Sequence, residues 1–220
     1  MKVLVIGSTG GSGRAAVQQL VAQGHSVTAF SRSGQAVAKH ERVATFRGDV
    51  MNDEDVERAV RGHDAVVVTL GISENPIRVR LFGAAHTPDA VRSQGTRNVM
   101  AAMRKHGVRR LVVQTSYGVG ETRDLLGFVD AMFFKLLLKP QIADTELQNA
   151  EVSASELDWV LAQPVHLTDT EEDELPFLST TGETGAMKVS RRSVGRFLAD
   201  AVQDARYLRK TVAISGAVQV

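Results

Sequence analysis

Met1-Lys2-Val3-Leu4-Val5-Ile6-Gly7-Ser8-Thr9-Gly10-Gly11-Ser12-Gly13 opens the chain. The unbroken apolar run from Val3 to Ile6 has the character of a strand buried on both faces, as in a parallel sheet covered by helices. It stops at a glycine cluster, and a helical pattern follows at once, with Ala16, Val17, Leu20 and Val21 at helical spacing. Gly7, Gly10 and Gly13 recur every third residue. Glycine admits positive φ and lets a ligand approach the backbone closely. A helix starting there aims its unpaired N–H groups and the positive end of its dipole at the turn. Strand, glycine turn and helix in this order predict a cradle for a dinucleotide diphosphate built by Gly7, Ser8, Thr9, Gly10, Gly11, Ser12 and Gly13.

Outward from this segment the alternation continues. Strands are predicted at 26–31, 43–47, 64–70, 109–115, 158–163 and 211–215, and helices at 12–23, 53–61, 89–106, 131–153 and 190–203. Gly24 stops the first helix, Asn52 or Asp53 caps the second, and Pro140 breaks or restarts the fourth. The regular pattern fails over 72–87 and 116–130. Strands alternating with helices predict an α/β fold, a doubly wound parallel sheet in the order 3-2-1-4-5-6, in one domain over 1–220. The segments 72–87, 116–135 and 166–190 are left to form the substrate site.

Composition sets the outer bounds. In 220 residues with 43% apolar and 23% charged residues there is enough chain for one real core. The net charge of +1 gives no reason to expect nucleic acid or a membrane as partner. No apolar run approaches the ~20 residues of a membrane span. The chain enters a strand at once, which fits no signal peptide, so a cytoplasmic protein is expected. There is no cysteine, which excludes disulfides, thiolate catalysis and cysteine-bound metal. The acidic run 169–174 reads as a solvated loop, and no metal is expected. A monomer or small homo-oligomer acting on a small molecule is the expected state.

In such sheets ligands bind beyond the carboxyl ends of the strands. The second strand ends Ser31-Arg32-Ser33 with no acid for a ribose diol, so Arg32 and Ser33 point to the 2′-phosphate of NADP, with NAD the alternative. Asp49 is placed either to accept from an adenine amino group or to cap the next helix, and Val50 to flank the ring. Leu70 and Gly71 end the fourth strand where a cofactor would pass. Thr115, Ser116 and Tyr117 end the fifth, with Thr115 expected at the cofactor, Tyr117 a catalytic candidate, and Ser116 there either to orient a substrate or to cap a turn. Pro164 and His166 end the sixth. There the backbone offers hydrogen bonds to a carboxamide, and His166 is either a proton donor or a loop residue.

These motifs resemble a known family. Gly7-Ser8-Thr9-Gly10-Gly11-Ser12-Gly13 is similar to the G-x-x-G-x-x-G turn of atypical short-chain dehydrogenases, and Gly48-Asp49-Val50 to their G-D-V/L. Val91 to Ala102 with Gly107-Val108, Asp64 to Val68 with Leu70-Gly71, and Leu157-Asp158-Trp159 to Gln163-Pro164 resemble biliverdin-IXβ reductase/flavin reductase-like and NmrA-like proteins. The resemblance covers roughly 1–170 well and implies a Rossmann-type NAD(P)-binding fold. It also implies an NAD(P)H-dependent reductase acting on a planar conjugated acceptor of flavin, bilin or quinone type. The NmrA-like members imply the alternative of an NADP redox sensor without turnover, and an epimerase is a further one. Classical short-chain dehydrogenases carry Tyr-x-x-x-Lys, whose lysine lowers the tyrosine pKa for acid–base work. Here Tyr117 is followed by Glu121 and Tyr207 by Lys210, at the wrong spacing. A flavin-like acceptor can take its proton from solvent, which accounts for the missing pair.

Overall fold

The computed structural model describes residues 1–71, 88, 90–125, 139–170 and 175–217. Its elements are β1 (Lys2–Ile6), α1 (Gly11–Ala22), β2 (Ser26–Ser31), β3 (Val43–Arg47), α2 (Asp53–Val60), β4 (Ala65–Val68), α3 (Val91–His106) and β5 (Arg110–Gln114). There follow a 3-10 turn (Gly120–Leu125), α4 (Lys139–Ser153), β6 (Asp158–Pro164), β7 (His166–Thr168), β8 (Phe177–Ser179), β9 (Lys188–Ser190), α5 (Arg191–Ala201) and β10 (Lys210–Ser215). The main sheet runs β3-β2-β1-β4-β5-β6-β10-β8. It contains the expected order and extends it by β10, parallel to β6, and by β8, the antiparallel edge strand.

Alternation along β1 explains its unbroken apolar run. Val3 and Val5 enter the core under α1 and α5, while Leu4 and Ile6 enter the core under α2, α3 and α4. All four are fully buried, so neither face of the strand tolerates a polar residue. The helices carry local and distant caps. Asn52 accepts from the backbone of Glu54 and Asp55 at the head of α2. Its geometry makes Asn52 rather than Asp49 the cap of that helix. The N-cap position of α3 offers no side chain, and Asp144 of α4 does the work instead, accepting from Arg92 N at 3.0 Å and Ser93 N at 3.1 Å. Gly107 ends α3 in the left-handed conformation, φ +71°. Arg110 closes the C-terminus of α5 by donating to the Ala201 carbonyl at 2.9 Å.

Two features depart from the sequence reading. The sheet is parallel except for β8, and a second, two-stranded parallel sheet joins β7 to β9. His166 therefore starts a strand instead of lying in a loop, its N–H donating to the Met187 carbonyl at 3.3 Å. Strands of three residues show no readable alternation, so β7, β8 and β9 were invisible in the sequence.

Candidate functional site

The site is built first from backbone. Gly7 follows β1 with φ +81°, and a Cβ there would stand 2.7 Å from the Thr69 carbonyl oxygen. A Cβ on Gly13 would stand 2.3 Å from the Gly7 carbonyl oxygen. Contacts of that length do not occur, so α1 reaches β1 this closely only with glycine at these positions. The loop is pinned to its neighbour: the Phe30 carbonyl accepts from Gly7 N at 3.2 Å, Ser8 N at 3.2 Å and Ser8 Oγ at 3.0 Å. Gly10, the N-cap of α1, supplies no capping side chain, and the first turn of α1 holds no acidic residue. No side chain of that turn therefore offsets its leading N–H groups and dipole.

Around this loop lies an open cleft at the carboxyl edge of the sheet. Gly7, Thr9 and Gly10 form one wall, Arg32 and Phe30 the end of β2, Asp49, Val50 and Met51 the loop after β3, and Thr69, Leu70 and Gly71 the end of β4. Gly7, Thr9, Gly10, Arg32, Asp49, Val50, Leu70 and Gly71, all expected from the sequence, thus line one space. Asp49 Oδ1 accepts from Met51 N at 3.0 Å, and Asp49 N donates to Asp55 Oδ2 at 2.9 Å. The latter bond, with the Arg58 guanidinium, holds the Asp55 carboxyl below the usual range. The Gly-Asp-Val loop is in this way locked to the first turn of α2. Ser33 is exposed beside Arg32, and its hydroxyl accepts from Gln35 N at 3.2 Å.

Other candidate residues are placed differently. Ser8 is fully buried with its hydroxyl committed to Phe30, and Ser12 is buried too, so neither side chain faces the cleft. Thr115, Ser116, Tyr117, Pro164 and His166 are not among the residues lining it. Thr115 is buried, and its hydroxyl has no hydrogen-bond partner among the described residues. Ser116 is half-buried and bonds only weakly, to the Tyr117 carbonyl at 3.2 Å. The Pro164 carbonyl accepts from Tyr117 N at 3.0 Å, so the backbone expected to meet a carboxamide already holds the neighbouring loop. Tyr117 is 5% exposed, packs in the core and donates its hydroxyl to the Gly182 carbonyl at 2.9 Å. Burial pushes its pKa up. The Tyr117 hydroxyl is thus held inside the fold. His166 is exposed on β7. Beneath this region, Gln163 donates to the Val119 carbonyl at 2.9 Å and accepts from Thr122 Oγ1 at 2.7 Å, all buried. The predicted wall segments 72–87 and 126–135 lie outside the described residues.

The sequence reading missed Phe30, Thr69, Met51 and Pro88 as cleft residues. Each adjoins a strand end already singled out or, for Pro88, opens the approach to α3. It also missed Arg92, whose guanidinium reaches the end of β4: a Cβ on Gly71 would stand 3.2 Å from its Nη2. Burial lowers the Arg92 pKa while the Asp144 charge supports it.

An NAD(P)H-binding family model matches residues 7–205. The chain belongs to that family. It is 38% identical over 71 residues to the 3-beta-hydroxysteroid dehydrogenase of Mycolicibacterium neoaurum, a match spanning 32% of this chain and 19% of that protein. The chain thus covers about a fifth of that relative's length. A Rossmann-fold NAD(P)-binding family protein from Shigella flexneri superposes with TM-score 0.71 at 23% identity, covering 100% of this chain and 97% of that one. A wide-type short-chain dehydrogenase/reductase from Veillonella parvula, solved in complex with NADP, superposes with TM-score 0.76 at 15% identity, covering 97% and 94%. The fold is the Rossmann fold. Among the described residues no helix is long and apolar enough to cross a membrane.

Proposed function

We propose that the protein is an NADPH-dependent reductase that passes hydride to a planar conjugated acceptor of flavin, bilin or quinone type. The observation that carries the reading is the glycine cradle: the space between Gly7 and Gly13 excludes a Cβ, and α1 begins there without an acidic residue or a capping side chain. Backbone so arranged suits a diphosphate. Arg32, with Ser33 beside it, would take the 2′-phosphate, Asp49 the adenine amino group, and Val50 one face of the ring. Leu70 and Gly71 would let the dinucleotide pass toward the ends of β5 and β6. Bound there, NADPH would supply the hydride, and the contribution of the chain is positioning. Thr115 and Ser116 would offer hydroxyls on that side, and Pro164 would border it. His166 is the candidate donor for a proton that solvent can also provide. The segments 116–125 and 166–190 would wall the acceptor within one domain.

The engaged Tyr117 hydroxyl and the absence of Tyr-x-x-x-Lys favour a second reading, an NADP-binding redox sensor without turnover. It needs a protein partner, and the basic residues that would meet one are largely used inside the chain: Lys105 pairs with Glu57 at 2.8 Å and Arg109 with Asp158 at 3.2 Å. Titration with NADPH and NADH followed by FMN, quinone and bilin acceptors decides between the two. Acceptor-dependent NADPH oxidation supports the reductase. Tight nucleotide binding with no acceptor reduced supports the sensor. No binding of either dinucleotide overturns both.

A further inference from the structure

Gly11 stands second to none of its neighbours in the turn for lack of a side chain, yet its backbone does not require glycine. Unlike Gly7, it has no positive φ. As the first residue of α1, it would make a better helix as alanine. What fills the space is a side chain from the far end of the sequence. A Cβ on Gly11 would stand 2.4 Å from Cδ and 2.8 Å from Nε of Arg191.

The placement is rigid. α1 and α5 pack side by side in the same direction: Gly11 meets Arg191, a Cβ on Gly195 would stand 2.6 Å from Ala15, and Gln23 donates to Asp200 Oδ1 at 2.6 Å. Both helices therefore start at the carboxyl edge of the sheet, abreast. The first turn of α5 holds Arg191 and Arg192 and no acidic residue, the reverse of what a helix dipole favours. Arg191 itself is paired with Asp169 just past β7, Nη1 to Oδ1 at 2.7 Å. The Asp169 side chain is 84% exposed against 30% for Arg191. A solvated carboxylate is a weak competitor, since exposed ion pairs are screened by water and contribute little. A diphosphate offers the guanidinium fork several charged oxygens at once.

We infer that Arg191 is a cofactor-holding residue, whose guanidinium lies over the glycine loop and takes the diphosphate in exchange for Asp169. The inference rests on the proposed dinucleotide reading and adds to it a contact from the last helix. Gly11 is glycine so that the Arg191 side chain can cross the loop.

The test is calorimetric titration of the wild type, Arg191→Gln, Asp169→Asn and Gly11→Ala, with folding checked by thermal melts. The ligands are NADPH, NADH and the fragments that lack the diphosphate, 2′-AMP and adenosine. Arg191→Gln should weaken the dinucleotide that the wild type binds by about tenfold or more. The matching fragment should change by less than about twofold, because the variant touches only the diphosphate contact. Asp169→Asn should bind the dinucleotide as well as the wild type, or up to about threefold more tightly. Gly11→Ala should weaken it, and add less than about twofold when combined with Arg191→Gln, because both act through one side chain. Equal affinity of wild type and Arg191→Gln for the dinucleotide, or equal weakening of dinucleotide and fragment, overturns the inference and leaves the cofactor reading standing. A wild type that binds neither dinucleotide overturns both. Should Arg191→Gln not fold, Asp169→Asn and Gly11→Ala carry the same test: weaker binding in the former, or unchanged binding in the latter, overturns it.

Discussion

The two sides of the sheet's carboxyl edge are built in different ways. On the side of β1, β2 and β3, the cleft is made of glycine backbone, an uncapped helix end and loops tied down by main-chain bonds, as where Phe30 holds Gly7 and Ser8. On the side of β5 and β6, the polar side chains bond to one another and to the fold, as in Tyr117 to Gly182 and Gln163 to Thr122 and Val119. The first side presents backbone to the cleft. On the second, the Thr115 hydroxyl and the Gln114 side-chain oxygen are buried without a partner among the described residues, and Ser116 bonds to its neighbour's carbonyl. A family can therefore keep one cofactor cradle while its chemistry varies with the loops around the other side.

The largest test of this contrast is Gly13→Val. With a Cβ at 2.3 Å from the Gly7 carbonyl, the cradle must open, and dinucleotide affinity should fall by about a hundredfold or more in a titration. Retained affinity would mean that the backbone cradle is not the site. Arg32→Ala should come next. Loss of a charged phosphate contact should weaken NADPH by about tenfold while sparing NADH. Equal losses would remove the 2′-phosphate assignment. On the other side, Ser116→Ala should slow turnover by several-fold with the cofactor dissociation constant unchanged, on the order of one lost hydrogen bond. An unchanged rate would take Ser116 out of the mechanism. The smallest effect on activity is expected from Tyr117→Phe. It should cost about 1 kcal/mol of stability by leaving the Gly182 carbonyl unpaired, and steady-state rates should stay within about twofold of wild type. A large loss of rate with intact stability would restore Tyr117 as a catalytic residue.

How legible each side was follows from the same contrast. The cradle depends on spacing along a continuous segment, and β1, the turn and α1 could be read from residues 1–23 alone. Asp49, Val50, Leu70 and Gly71 were legible because they follow strands, and strand ends of one parallel sheet meet at one edge. That the Ser8 and Tyr117 hydroxyls turn into the fold was not legible, because a hydroxyl in a sequence carries no sign of which way it faces. Asp144, the cap of α3, lies 52 residues from Arg92, a distance at which no capping pattern can be read.

What the order of residues settled by itself was the alternation of buried strands with helices and the position of the glycine turn, since burial on both faces and backbone freedom are local properties of residue type. Only the tertiary structure decided that α5 returns to lie along α1 and sets Arg191 over Gly11, that β7 and β9 pair, and that the Tyr117 and Thr122 hydroxyls bond inward. Those outcomes depend on contacts between segments far apart in the chain, whose geometry comes into being only when the two cores on either side of the sheet close.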